Sequence, residues 1–517
     1  MASAAEMEFH ARVSRIRHHQ PRRRLAVLLA LILGSGLLSA APARPAVAAG
    51  LDPGIQARAD VHTLLSHEVY GYLPYWRLDA GTAGRLNYDL LTTIAFFGLG
   101  IKATGDIDMA WRGSAAYVGA NAVAVTNAAH AKGVRVVPTF QLFDSGSLPK
   151  MTAFLGSTVA QDRFIAQALD LMARRSADGA NFDFEPMSAV NTPSYLVFLG
   201  RFRTAMVGRF PGAQLVNATS AGAPTALIQG LVPIVSKQFV MTYNYRWSGS
   251  TVAGAIAPLD HASRNVQLHM KRFLANAPAS SLILGVPYYG YDWPVTSAVA
   301  NATVQSDKAK YGAVWSVSYA SARAFLAANP TVVRNNDVLE GSSFYTYWDP
   351  SHHTYRQVYF EDERSAAAKY DYAITTGLGG VGIWTLGNDG TYPEMWKALR
   401  VFYAPVHLVF VGSRIRSTDV AGGVVYADLS YSLRNAGNLT ERGTISWVAR
   451  NADHRPVASG TIRTAVAVSA QRGLNSRART RLGLASNLAS GVWSVEVTFT
   501  TAKNVFRSSR TLFLQPY

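Results

Sequence analysis

Residues 178–185 read Asp-Gly-Ala-Asn-Phe-Asp-Phe-Glu, which sets a carboxamide and two carboxylates at alternate positions. Spacing of two puts Asn181, Asp183 and Glu185 on one side of a β-strand, with Phe182 and Phe184 on the other. Two carboxyl groups on one side suit a reaction that protonates a leaving group, because each raises the cost of ionising its neighbour. Their titrations are coupled, so apparent values belong to the pair. Glu185 ends the run and projects furthest, which makes it the expected acid. The competing reading is a solvated acidic edge, and the flanking phenylalanines are poor company for that.

A polar row backed by an apolar row fits a strand of a closed parallel barrel, in which one face lines the interior and mouth and the other packs on helices. Strand-like runs alternate with helical spacing from about residue 69 to residue 400. Phe164, Ala168, Leu171 and Met172 mark a helix over 160–175, and an Ala-rich segment marks another over 115–132. The expected fold class is α/β: a (β/α)8 TIM barrel over 65–403. The stretch between the seventh and eighth strands is too long for one crossover. It predicts a small α+β insertion at about 294–362, with a helix over 317–328 and strands over 343–348 and 354–360. Beyond residue 404 the pattern becomes short strands, at 424–433, 443–449, 457–466 and 492–499. These predict an all-β immunoglobulin-like sandwich over 405–517.

The octet resembles the Asp-Gly-x-Asp-x-Asp-x-Glu signature of glycoside hydrolase family 18, the chitinase-like enzymes. Other segments match that family in order. Val69-Tyr70-Gly71-Tyr72-Leu73-Pro74-Tyr75-Trp76 resembles its first strand, Thr93-Ile94-Ala95-Phe96-Phe97 its second and Val134-Arg135-Val136-Val137-Pro138-Thr139 its third. Leu215-Val216-Asn217-Ala218-Thr219 resembles the fifth strand, and Phe239-Val240-Met241-Thr242-Tyr243-Asn244-Tyr245 the sixth, with its Met-x-Tyr-Asp motif. Leu284-Gly285-Val286-Pro287-Tyr288-Tyr289-Gly290 resembles the seventh, and Gly380-Val381-Gly382-Ile383-Trp384-Thr385 the eighth. The nearest resemblance is to the branch containing spore-cortex-lytic N-acetylglucosaminidases.

The resemblance implies a hydrolase of β-1,4-linked N-acetylglucosaminides in peptidoglycan or chitin. It implies substrate-assisted retention: the 2-acetamido group attacks its own anomeric carbon while Glu185 acts as general acid and base. Asp183 would hold the acetamido N–H and stabilise the oxazolinium, and Tyr243 would fix the acetamido oxygen. Trp384 would form the floor under the sugar, although a barrel-core role suits both Trp384 and Tyr243. Asn181, Asn244, Tyr72, Phe97 and Tyr289 complete the expected substrate-binding set. Two positions depart from the family pattern: Asn181 and Asn244 replace aspartates. Asn181 cannot share a proton with Asp183, so Asn181 is expected to orient it by hydrogen bonding and Asp183 to stay ionised at rest. The alternative is a catalytically inactive, lectin-like or wall-associated relative. Retention of Glu185 favours the enzyme.

Composition narrows the remaining choices. The chain has 517 residues and no cysteine, which excludes disulfides, thiolate metal sites and cysteine nucleophiles. No cofactor and no metal site are expected from the His, Asp and Glu spacing. Arg22, Arg23 and Arg24 precede an apolar run from Leu25 to Leu38, followed by Ala46-Val47-Ala48. This predicts a signal peptide over 1–49 and a secreted, wall-associated protein. The run is shorter than the ~20 residues of a spanning helix, so no stable membrane anchor is expected. The formal charge is +17, and residues 405–517 carry fourteen Lys and Arg against five Asp and Glu. That basic region predicts an anionic cell-wall polymer as a partner, beside the N-acetylglucosamine-containing polysaccharide substrate. No nucleic-acid motif accompanies it, and a monomer is expected.

Overall fold

The computed structural model describes residues 50–56, 65, 67–337 and 339–402, and the strands between 408 and 514. The expected signal peptide lies outside the described residues. The chain forms two compact units, one built on strands up to residue 392 and one that includes the strands from 408 onward.

In the first unit, seven strands run parallel: β1 (Glu68–Pro74), β2 (Thr93–Gly100), β3 (Arg135–Phe143), β4 (Gly179–Glu185), β5 (Gln214–Ser220), β6 (Lys237–Met241) and β7 (Leu282–Pro287). The chain then builds a separate five-stranded sheet from β8 (Tyr289–Val295), β9 (Trp315–Ser318), β10 (Asn335–Asp337), β11 (Ser342–Asp349) and β12 (Thr354–Phe360). It returns as β13 (Gly380–Trp384), which closes an eight-stranded barrel between β7 and β1. Tyr289 and Gly290, expected on the seventh barrel strand, open β8 instead. The barrel ladder ends at Pro287, which pairs with Trp384. Alternation of apolar residues continues through this point, so the change of sheet leaves no periodic trace.

Two layers of apolar side chains hold the barrel. Tyr70, Tyr72, Ala95, Phe97, Val137, Val216, Phe239 and Ile283 fill its interior. Phe182, on the outer face of β4, meets Phe202 at 4.8 Å and Phe198 at 5.6 Å, both on the helix Thr192–Arg209. Burying each such ring contributes ~1.5–3 kcal/mol, and the edge-to-face geometry adds ~0.5–1.5 kcal/mol per pair.

The helix Thr158–Arg174 begins at Ser157, whose side chain accepts from the Ala160 N–H and satisfies one of the free donors of the first turn. It buries Phe164, Ala168, Leu171 and Met172, the positions that its spacing predicts. Asp178 then pins the start of β4. Its Oδ2 accepts from the Val136 N–H at 2.6 Å and pairs with His130 Nε2 at 3.0 Å. The following residue, Gly179, has φ 155°, and a Cβ there would collide with the Gln214 carbonyl. The Asp-Gly pair at the head of the octet is therefore architectural.

The later region contains β14 (Leu408–Ala421), β15 (Val424–Asn435), β16 (Glu441–Arg450), β17 (Pro456–Val468), β18 (Arg472–Gly483), β19 (Gly491–Thr501) and β20 (Val505–Leu514). They form two antiparallel sheets, in the orders β14-β15-β18 and β17-β16-β19-β20. In the second sheet Ile445 pairs with Phe499 and Trp447 with Val497, and all four are buried. The apolar pattern predicts β15, β16, β17 and β19 but not β14, β18 or β20. Strand β18 carries arginine at 472, 477, 479 and 481, which reads as a solvated segment when pairing is unknown.

Candidate active site

Strand β4 delivers its polar row to the C-terminal mouth of the barrel, where barrel enzymes do their chemistry. Asn181 is fully buried and Asp183 is 3% exposed, while Glu185 is partly exposed. Of the three, Glu185 is the one placed to reach a ligand. The Asp183 and Glu185 carboxyl groups lie within hydrogen-bonding reach of each other. Burial, then the Glu185 charge, pushes the Asp183 carboxyl well above the usual carboxylate range. Burial pushes Glu185 up to about 7, against the opposing effect of its bond to Asp183. Both shifts favour the protonated forms of the pair.

Burial without a neighbouring cation disfavours the Asp183 charge, a direction that runs against the expectation that Asp183 is ionised at rest. The expected role of Asn181 also changes. Its Nδ2 donates to Thr139 Oγ1 at 3.2 Å, and its carboxamide lies beside the Tyr72 hydroxyl. It ties β4 to β3 one level beneath Asp183.

Tyr243 follows β6 and is partly exposed. Burial, Asp183 and Glu185 together push its hydroxyl well above the ordinary tyrosine value, so it stays a neutral donor facing both carboxyl groups. Tyr72 is fully buried and is raised mainly by burial, with Tyr70, Asp183 and Tyr243 contributing. Trp384, at the end of β13, is partly buried against the barrel interior. Its ring meets Phe97 at 4.9 Å and Tyr72 at 5.4 Å, edge to face in both cases. Tyr289 is 5% exposed and meets Tyr243 at 6.4 Å.

Asn244 lies at φ 63°, a left-handed conformation that asparagine tolerates better than most residues. Its Oδ1 accepts from Tyr291 Oη on β8 at 3.1 Å. The inserted sheet holds the rest of this loop as well. Glu340 Oε2 accepts from the Ala255 N–H at 2.6 Å, and Trp293 Nε1 donates to the Trp247 carbonyl at 3.1 Å. The insertion thus fixes the loop that carries Tyr243 and Asn244.

Two further groups approach the pair that the sequence pattern does not mark. Tyr195, on the helix Thr192–Arg209, donates to Asn217 Oδ1 at 2.5 Å. Burial and Asp183 raise its hydroxyl. Gln141 stands opposite Asp183 in the β3–β4 register. Strand β3 runs to Phe143, beyond the expected end at Thr139, so Gln141 falls outside the sequence-predicted strand. Among the described residues, no group of three or more His, Asp or Glu could hold a metal ion. Among them, too, no helix is long and apolar enough to cross a membrane.

The barrel has known counterparts. Residues 143–389 match the family model for glycosyl hydrolases family 18. A putative sporulation-specific glycosylase of Bacillus subtilis is 27% identical over 263 residues, 48% of this chain and 56% of the relative. A cortical fragment-lytic enzyme of Bacillus anthracis is 24% identical over 254 residues, 48% of this chain and 55% of the relative. The chain thus spans about half the length of these curated relatives. Among solved structures, the spore cortex-lytic enzyme of Bacillus cereus superposes with a TM-score of 0.53 at 20% identity, covering 64% of this chain and 73% of that one. A chitinase of Cycas revoluta, solved with (GlcNAc)3, gives 0.56 at 17% identity, covering 65% and 100%. These structures share the fold of the barrel. The segment that carries Asp183 and Glu185 is thus the part of the chain that matches glycosyl hydrolases family 18.

Proposed function

We propose that this chain is an exported glycosidase that hydrolyses β-1,4-linked N-acetylglucosaminides of peptidoglycan or chitin. The observation that carries the reading is the Asp183–Glu185 pair at the barrel mouth, with Asp183 3% exposed and Glu185 partly exposed and burial raising both carboxyl groups, Glu185 to about 7. An acid poised near neutrality is what protonating a glycosidic oxygen requires. The relatives named above are a glycosylase, cortex-lytic enzymes and a chitinase, which supports the substrate class.

The proposed reaction is substrate-assisted. Glu185 gives its proton to the leaving oxygen as the C1–O bond breaks, and the acetamido oxygen closes on C1 to form an oxazolinium. The positive charge developing on the acetamido group favours an ionised Asp183, which drives the shared proton toward Glu185 as it is needed. Tyr243, kept neutral by burial and the carboxyl pair, donates to the acetamido oxygen and sets its angle. The intramolecular nucleophile brings a high effective concentration, a contribution of up to ~7–11 kcal/mol in favourable geometries. The Glu185 carboxylate then takes a proton from water, which attacks C1 and opens the ring with retention.

The test is Glu185→Gln, which removes the transferable proton and keeps the shape. Loss of turnover on a fluorogenic chitobioside, with oligosaccharide binding retained, is expected. Turnover within about tenfold of the unaltered protein would overturn the assignment. Binding without turnover by the unaltered protein would identify a lectin-like protein.

A further inference from the structure

We propose that Gln141 is a positioning residue for the acid pair, whose carboxamide supports Asp183 in both its neutral and its ionised form. This rests on the glycosidase reading above. Gln141 and Asp183 are direct partners in the β3–β4 register. In-register neighbours on parallel strands present the same side of the sheet, ~4.8 Å apart. The two side chains therefore leave the same face of the sheet from neighbouring strands at the barrel mouth. Gln141 is 4% exposed. Its Oε1 is buried with no hydrogen-bond partner, as is Asp183 Oδ1. Leaving two such atoms unbonded on paired residues is costly unless a working state of the site uses them.

The neighbouring strand is shaped around this amide. The β2–β3 register shifts between Phe97 and Leu99, which leaves Gly98 as the bulged residue. A Cβ at Gly98 would collide with Gln141 Oε1. The bulge thus sets the one residue type without a side chain where the carboxamide lies.

A carboxamide can accept through Oε1 or donate through Nε2 after rotation about its last bond. Neutral Asp183 can donate to Oε1, and ionised Asp183 can accept from Nε2. Asn181, one level deeper, has its Nδ2 engaged by Thr139. The titratable groups around Asp183 are Glu185 on β4, Tyr72 on β1, Tyr195 on the helix Thr192–Arg209 and Tyr243 after β6. None of these is a cation, so a neutral donor beside Asp183 is what remains to stabilise its charge when the oxazolinium forms.

The experiment uses the full chain with Gln141→Met, close in shape but unable to hydrogen-bond, and with Gln141→Glu. Kinetics on a chromogenic chitobioside across pH should show kcat reduced about tenfold or more in Gln141→Met, with KM changed less than about threefold. A hydrogen bond to a charged group is stronger than one to a neutral group. Its loss should therefore raise the apparent pKa of the pair and move the alkaline limb upward, and the third carboxylate of Gln141→Glu should move it upward too. A pure space-filling role would leave kcat and the alkaline limb of folded Gln141→Met where they are, and that result overturns the proposal. Carboxyl 13C NMR titration of the pair in the unaltered protein and Gln141→Met gives a readout independent of turnover. An unchanged titration overturns the proposal even if the unaltered protein cleaves no glycan, which would itself count against the glycosidase reading.

Discussion

The rings of Trp384 and Phe97 stand edge to face, 4.9 Å between centroids and with planes at 90°. Trp384 ends β13 and Phe97 lies within β2, on either side of β1, whose Tyr72 touches both. Trp384 keeps part of its surface open, while Phe97 is 5% exposed. This division predicts different outcomes for the two truncations. Trp384→Ala should raise KM for chito-oligosaccharides about tenfold or more and lower stability by only ~1–2 kcal/mol. Phe97→Ala should cost ~3–5 kcal/mol. Kinetics and denaturant melts of both variants check this, and equal stability loss would show that Trp384 is chiefly core.

Asp183→Asn should lower kcat at least about 10²-fold, the low end for a preorganised electrostatic group. Asparagine keeps the shape but cannot take up the negative charge that the oxazolinium calls for. Tyr243→Phe should lower kcat on acetamido substrates. If sugars lacking the 2-acetamido group were cleaved as fast as those bearing it, substrate assistance would be wrong.

The acid pair sets a pH dependence with a definite sign. Glu185 must be protonated to act, so kcat/KM should fall as pH rises through about 7. Stability should follow the same direction. The folded-state pKa lies above the model-compound value of 4.5, so the folded state binds more protons between them. The associated stability is full below the unfolded pKa and is lost as pH rises toward about 7. Glu185→Gln should therefore stabilise the protein at pH 8 relative to pH 4. Denaturant unfolding at both pH values tests it, and a stabilisation that does not change with pH would contradict the raised pKa.

The basic excess of residues 405–517 predicts attraction to anionic wall polymer. The full chain should pellet with purified cell walls at low salt and be released as salt rises, because exposed charges are screened over ~10 Å at 0.1 M. Replacing Arg477, Arg479 and Arg481, at alternate positions of β18, with serine should weaken pelleting and leave cleavage of soluble oligosaccharide unchanged. Salt-insensitive pelleting of both proteins would remove the charge-based role.

The sequence by itself determined the alternation of β4. Period two separates Asn181, Asp183 and Glu185 from Phe182 and Phe184 whatever surrounds the strand. Helical spacing likewise marks Phe164, Ala168, Leu171 and Met172, which are buried on one helix. Such local periods, repeated along the chain, are enough to specify a parallel barrel. The tertiary structure decided what depends on residues far apart in the chain. Gln141 and Asp183 are direct partners only because β3 and β4 pair in one register. The Asp183 carboxyl is raised above the usual carboxylate range because the closed barrel buries it beside Glu185. Asn244 meets Tyr291 because the inserted sheet begins at Tyr289, immediately after the seventh barrel strand. Side-chain direction along a strand is a local property of the backbone. Burial, register and the pKa shift of a buried carboxyl group are properties of the assembled neighbours.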